Sequence, residues 1–236
     1  MPFLKHLNMK KIIIYLMFLS CSSILPQEKV NKATYTFKVL ASDTSSFTEN
    51  FTQEINEFAE FSDLIVLFNS KYSYYGLEPK EDFASFADER FIYTPITLNA
   101  YYSVLYLKEK NVFYSHAPLI GDKVVIDDNA CVWELLDESK IINGYTCFKA
   151  IGKIKSISKE NPNLFSKIEA WYCPELPYSY GPSKYNNLPG LVVLAVNQDE
   201  TIFQLTKLEF DVNYEIPLDL LKKKSMTIYE YDEIEY

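Results

Sequence analysis

Apolar and polar residues alternate along this chain in short runs separated by polar turns, with one stretch of helical spacing near the start. Thr34 to Leu40 (TYTFKVL) alternates as a half-buried strand does. Ser45 to Phe61 sets Phe47, Phe51, Ile55, Phe58 and Phe61 three and four apart, which predicts a short amphipathic helix lying on a sheet. Strands are predicted at Asp63 to Tyr74, Asn99 to Leu107, Val112 to His116 and Lys123 to Ile126. The second and third of these form a hairpin about Lys108-Glu109-Lys110-Asn111. The charged stretch Glu78 to Arg90, with Pro79, reads as an exposed connection, and Pro95 confines the entry to the next strand to an edge or an irregular start. Beyond the turn residues Asp127-Asp128-Asn129, strands are predicted at Ala130 to Leu136, Tyr145 to Ile154 and Leu164 to Tyr172. Leu191 to Val196 and Ile202 to Phe210 form a last hairpin. Pro217 to Lys224 reads as a helical turn, before an acidic, aromatic tail.

No period of 20 to 50 residues recurs, and no strand-helix-strand rhythm appears, so the sheet is antiparallel. In Tyr101 to Leu107 one face carries Tyr102, Val104 and Tyr106 and the other Tyr101, Leu105 and Leu107. A sheet apolar on both faces is covered on both. The expected fold is therefore mainly β: a curved antiparallel sheet or half-open barrel wrapped over one or two short helices. A closed barrel with a plugged core fits nearly as well. Composition agrees, because 19 Tyr and 16 Phe suit pleated, half-buried surfaces.

The first 27 residues predict an export signal: Lys5, Lys10 and Lys11 precede an apolar Ile12 to Leu19 and then Ser20, Ser22 and Ser23. The apolar run is too short to span a bilayer, which takes ~20 residues. Residues 28–236 are then one exported, β-rich domain. Cys21 is the candidate lipidation site and the one route to membrane anchoring, although the bulky Leu19 stands where a small residue is wanted. A net charge of −9 without a basic patch argues against nucleic acid as a partner.

Chemistry is sparse. The mature chain keeps a single histidine, His116, too few for a two-histidine metal site and a poor start for a catalytic triad. The acidic pairs Asp127-Asp128, Asp137-Glu138 and Asp199-Glu200 fall where turns are expected, and no glycine-rich phosphate loop or calcium loop is present. No cofactor is implied. Cys147 and Cys173 flank a midpoint at residue 160 within a polar connector, so a hairpin about that point sets them opposite each other. Cys131 and Cys147 flank Ser139 in the same way; Cys147–Cys173 is the favoured candidate disulfide, and Cys131–Cys147 stays open.

The stretch Ala170 to Leu194 gathers Pro174, Pro177, Pro182 and Pro189 with Gly181, Gly190 and five aromatic rings. It reads as a rigid crossover joining two core strands, with Tyr178, Tyr180 and Tyr185 as candidate ligand or partner contacts. Trp133, then Gly144-Tyr145-Thr146-Cys147, Trp171-Tyr172, Pro174-Glu175-Leu176-Pro177, Gly181-Pro182 and Leu188-Pro189-Gly190-Leu191 follow one another in an order that resembles the signature of the GLPGLI family. Asn187 stands where the signature has its first glycine and Val192 where it has its final isoleucine; Asn also tolerates a left-handed backbone. The resemblance implies an exported, mostly β protein in the periplasm or cell envelope of a Gram-negative bacterium, with no assigned biochemical function, and it carries over no catalytic residue. The expected fold is similar to the half-barrels of lipoprotein-carrier proteins.

Two functions fit, neither catalytic. One is an envelope protein that binds an apolar ligand, a lipid or acylated peptide, in the concavity of its sheet. The other is a structural or protein-interaction module of the envelope that uses residues 170–194. A hydrolase built on scattered carboxylates ranks below both.

Overall fold

The computed structural model describes residues 28–40, 52–53, 56–57, 59–80, 103–116, 121–155, 164–198 and 201–234. Expectations for residues 1–27, Cys21 included, and for residues 81–102 lie outside that set. The described residues form twelve strands: β1 (Val30–Val39), β2 (Ser62–Phe68), β3 (Tyr72–Pro79), β4 (Val104–Leu107), β5 (Val112–His116) and β6 (Val124–Asp127). They continue with β7 (Val132–Ile142), β8 (Tyr145–Lys155), β9 (Phe165–Cys173), β10 (Leu191–Asn197), β11 (Thr201–Val212) and β12 (Ser225–Thr227). They form one open, curved sheet in the order β12-β6-β5-β4-β3-β2-β1-β11-β10-β9-β8-β7. Two meanders, β1–β6 and β7–β11, are joined where β1 pairs with β11, and every pairing is antiparallel except the short edge of β12 on β6.

Connectivity dictates the curvature. From β6 to β7 the sheet order counts ten strand intervals, which on a flat sheet would be ~48 Å. Yet β7 starts five residues after the end of β6, a reach of at most ~18 Å. The sheet must roll so that β6 returns towards β7. Inside the roll lies the main core, from Tyr35, Phe37, Leu64, Val66, Tyr106 and Phe113 across to Ile168, Leu191, Val193 and Phe203. The outer face is covered too. Ile65 and Leu67 pack with Val212 and Ile216, and Leu105 and Val124 pack with Leu220 of the 3-10 turn η1 (Leu218–Lys222) and with Leu221. This is the double cover expected from the two-faced run 101–107, of which Val104–Leu107 form β4 and Tyr101 and Tyr102 lie outside the described residues.

Residues 52–53, 56–57, 59 and 60 are helical, as the 45–61 periodicity predicts; Phe47, Phe51, Ile55 and Phe58 lie outside the described residues. Asn56 extends β1 by one rung, its amide exchanging hydrogen bonds with the N–H and carbonyl of Val39 at 2.8 and 2.9 Å. The last described element is a helical turn, α1 (Ile228–Asp232), closed by a capping box between Thr227 and Glu230.

Three expectations change. The run 63–74 is two strands, because Asn69 Oδ1 accepts from the backbone N–H of both Lys71 and Tyr72 and closes a turn inside it. Asp137 and Glu138 lie within β7, not in a turn; the chain reverses at Asn143-Gly144, whose φ values of 52° and 83° make the tight hairpin. β9 and β10 are neighbours, with Leu191 opposite Cys173, so the segment between them is no crossover.

Candidate functional site

Residues 174–190 leave the end of β9 and come back to the same rung, folding over the inner face of the sheet as they go. The start and finish are fixed by main-chain hydrogen bonds: Leu176 N–H to Cys173 O at 3.1 Å, and Leu191 N–H to Leu176 O at 2.9 Å. A Cβ on Gly190 would sit 2.1 Å from the Cys173 carbonyl oxygen, and one on Gly181 2.5 Å from that of Tyr185, so the two signature glycines are spaces that backbone occupies. Asn187 takes φ +74°, the left-handed conformation expected of a residue in a glycine position. Its side chain adds what glycine lacks: the Tyr106 hydroxyl lies 2.7 Å from Asn187 Oδ1, and Asn187 Nδ2 donates to Asn111 Oδ1 at 2.9 Å.

The segment's apolar side chains supply an inner layer. Leu176, Tyr180, Tyr185 and Leu188 are all buried in the main core, Tyr185 edge-on to Phe203 and Tyr180 edge-on to Tyr106. Tyr178 is half-buried between Phe68 and Phe210, at ring separations of 4.9 and 6.2 Å. Both ends of the rolled sheet are tied to this layer. Lys184 is ion-paired with the buried Asp127 at the end of β6, and the Trp133 indole on β7 donates to Asn186 O. Pro174, Pro182 and Pro189 lie within the segment, and Leu191 is fully buried as β10 begins.

Trp171 is buried on β9, donates to Glu169 Oε1 at 3.0 Å, and has Lys140 Nζ 3.8 Å from its ring centre. Cys131, Cys147 and Cys173 are free, buried thiols. The β8–β9 register, Phe148 opposite Tyr172, carries forward one step to set Cys147 opposite Cys173. Burial, with Cys173 beside it, pushes the Cys147 thiol up to about 11. Cys131 does not face Cys147: Lys140 is opposite Cys147, and Val132, beside Cys131, is opposite Lys153. The Ser139 midpoint failed because the hairpin turns four residues later.

Several carboxylates are taken up by cations. Glu78 binds the buried Lys32 at 2.5 Å and the Tyr214 hydroxyl at 2.7 Å, partners more than 40 and 130 residues away that no local pattern signals. Burial alone would raise the Glu78 carboxyl, but those hydrogen bonds outweigh it and hold it below the usual range. Glu169 is held low in the same way by Lys149 and Trp171. His116 ends β5 opposite Val124.

A cleft of ≈780 Å³ opens at the rim of the roll, where the signature segment meets the start of β1 and two turns. One wall is Pro177, Tyr178 and Tyr180. The facing side comes from Glu28, Lys29 and Asn31 at the start of β1, Asn69 to Lys71 in the β2–β3 turn, and Lys108 in the β4–β5 turn. Tyr180 is 2% exposed, yet its hydroxyl has no hydrogen-bond partner among the described residues. Burial, then the neighbouring Tyr106 and the Glu28 carboxylate, push that phenol up. Sequence reasoning singled out Tyr178 and Tyr180 but missed the polar half of the cleft, which comes from residues far apart in the chain.

No curated protein matches the chain. Two solved structures of PNGF-II, in C2 and P21 crystal forms, align with it at TM-scores of 0.53 and 0.54 and 17% identity. The alignment covers 87% of this chain but 32% and 33% of theirs, so the chain spans about a third of the PNGF-II length and shares its β-rich fold. Residues 159–194 match the model of a family described as "Protein of unknown function (Porph_ging)"; the stretch from β9 to the middle of β10 is where this chain is similar to that family.

Proposed function

We propose that this is a non-catalytic, exported module of the Gram-negative cell envelope, of the GLPGLI type, which binds through the rim of its signature segment. The observation that carries the reading is the division of labour within residues 174–190. Leu176, Tyr185 and Leu188 fill the inner face, while Pro177 and Tyr178 reach the wall of the ≈780 Å³ cleft. An apolar ligand in the concavity would compete with the chain's own side chains for that face. The interaction role for 170–194 is therefore favoured over lipid storage. A non-catalytic role is supported by Glu78, Asp127 and Glu169, each neutralised by a lysine.

Native mass spectrometry of the protein purified from the envelope, with a fluorescent fatty-acid titration beside it, tests this reading. The expected result is a protein free of lipid that does not take up the probe. Stoichiometric bound lipid, or saturable uptake that survives Tyr178→Ala, would return the function to the concavity of the sheet.

A further inference from the structure

The cleft has a donor-rich lining. Asn69 Oδ1 is occupied by the N–H groups of Lys71 and Tyr72, and Asn31 Oδ1 by the N–H of Asp211. Their amide nitrogens remain as donors. The one carboxylate on the wall, Glu28, already accepts from Ser70 Oγ at 2.7 Å and Lys71 Nζ at 3.4 Å. Lys108 has no carboxylate partner among the described residues; its ammonium lies 5.6 Å from the Tyr180 ring centre. Lys29 is paired with Asp211 and Lys71 with Glu28, so among the described residues the cation that the lining leaves unneutralised is Lys108. The unpartnered Tyr180 hydroxyl adds one more donor, on a side chain 2% exposed. A buried polar group without a partner is costly unless something else supplies the bond.

We propose that this cleft binds a small, oxygen-rich anion, a sugar bearing a carboxylate or a phosphoryl group. Lys108 takes the charge, the Tyr180 hydroxyl donates to a ligand oxygen, and the Asn31 and Asn69 amides meet hydroxyl oxygens. The Tyr178 ring and Pro177 offer an apolar wall to the C–H face of a sugar ring. A volume of ≈780 Å³ exceeds what a bare anion fills and lies in the range of small-molecule sites. The assignment rests on the reading of the chain as a rim-binding module and names the ligand class.

Isothermal titration of the full exported chain with glucuronate, glucose 6-phosphate, glucose and laurate tests it. The expected result is binding of glucuronate, glucose 6-phosphate or both at least tenfold tighter than glucose; the stronger of the two identifies the acid group. Lys108→Gln should weaken that binding about tenfold. Tyr180→Phe should weaken it about fivefold without lowering the melting temperature, because the hydroxyl has no partner among the described residues. Equal affinity for glucose and the acids, no binding of either acid, or binding indifferent to both substitutions would overturn the ligand class. Saturable laurate binding would overturn the rim-binding reading itself.

Discussion

The indole N–H of Trp133, on the edge strand β7, donates to the backbone carbonyl of Asn186 at 2.8 Å. The two residues lie 53 positions apart and belong to opposite layers of the fold, sheet and inner segment. Two residues before Asn186, Lys184 reaches the other end of the roll at Asp127. A segment of three residues thus holds both ends of a sheet whose strand order would otherwise leave it open.

Gly190→Ala should be among the most damaging small substitutions in the chain. Its Cβ would meet the carbonyl oxygen and carbon of Cys173 at 2.1 and 2.4 Å, both backbone atoms of the adjacent strand. Neither can yield without moving β9. A loss of about 3 kcal/mol, a fall of roughly 6–12 °C in melting temperature, is expected by circular dichroism.

Lys184→Met leaves the Asp127 carboxylate, 2% exposed, without its cation. Stripping one partner from a buried pair costs about 3–5 kcal/mol, whereas replacing both with apolar side chains is often close to neutral. Denaturant unfolding of Lys184→Met, Asp127→Leu and the double variant should show the double variant more stable than Lys184→Met alone.

Refolding the mature chain in an oxidised-glutathione buffer and mapping its peptides should give a Cys147–Cys173 link, with Cys131 left as a thiol. The β8–β9 register sets the first pair face to face, while the β7–β8 register places Cys131 about seven residues along β8 from Cys147, roughly 23 Å. A Cys131–Cys147 link would contradict that register.

Glu78→Gln should destabilise at neutral pH and not in acid. The folded state holds the Glu78 carboxyl below its usual range, so its contribution is present above the unfolded value of ~4.3 and is lost as pH falls through the folded value. Lys32 is held above its ordinary range, burial being outweighed by Glu78 and Tyr214, so its share persists until strongly alkaline pH. At pH 7 the variant is expected to lose about 2–3 kcal/mol, on the scale of a broken charge-assisted bond. The gap from wild type should close below pH 4.

Alternation made β1, β5, β8 and β11 legible, while β10, buried on both faces from Leu191 to Val193, was legible as an unbroken apolar run. It failed at β7, where Asp137-Glu138-Ser139-Lys140 looks like a turn. That edge strand is largely exposed, so nothing selects for an apolar face. It failed again at 63–74, where Asn69-Ser70-Lys71 turns the chain between Phe68 and Tyr72 within what reads as one strand. The Pro/Gly chemistry of 170–194 revealed a rigid connection, but local residues cannot say which surface it lies against. The Lys32–Glu78–Tyr214 cluster and the cleft from Glu28 to Tyr180 are assembled by strand order alone.

Hydrogen–deuterium exchange of residues 174–190 measures most directly whether the signature segment is a fixed inner layer. The N–H groups of Tyr185, Asn187 and Leu191 are bonded to Pro182, Ser179 and Leu176 carbonyls, beneath side chains buried in the main core. Protection comparable to that of β9 and β10 is predicted across the segment. Exchange as fast as in the exposed β4–β5 turn would contradict it and make the segment a loop laid on the surface.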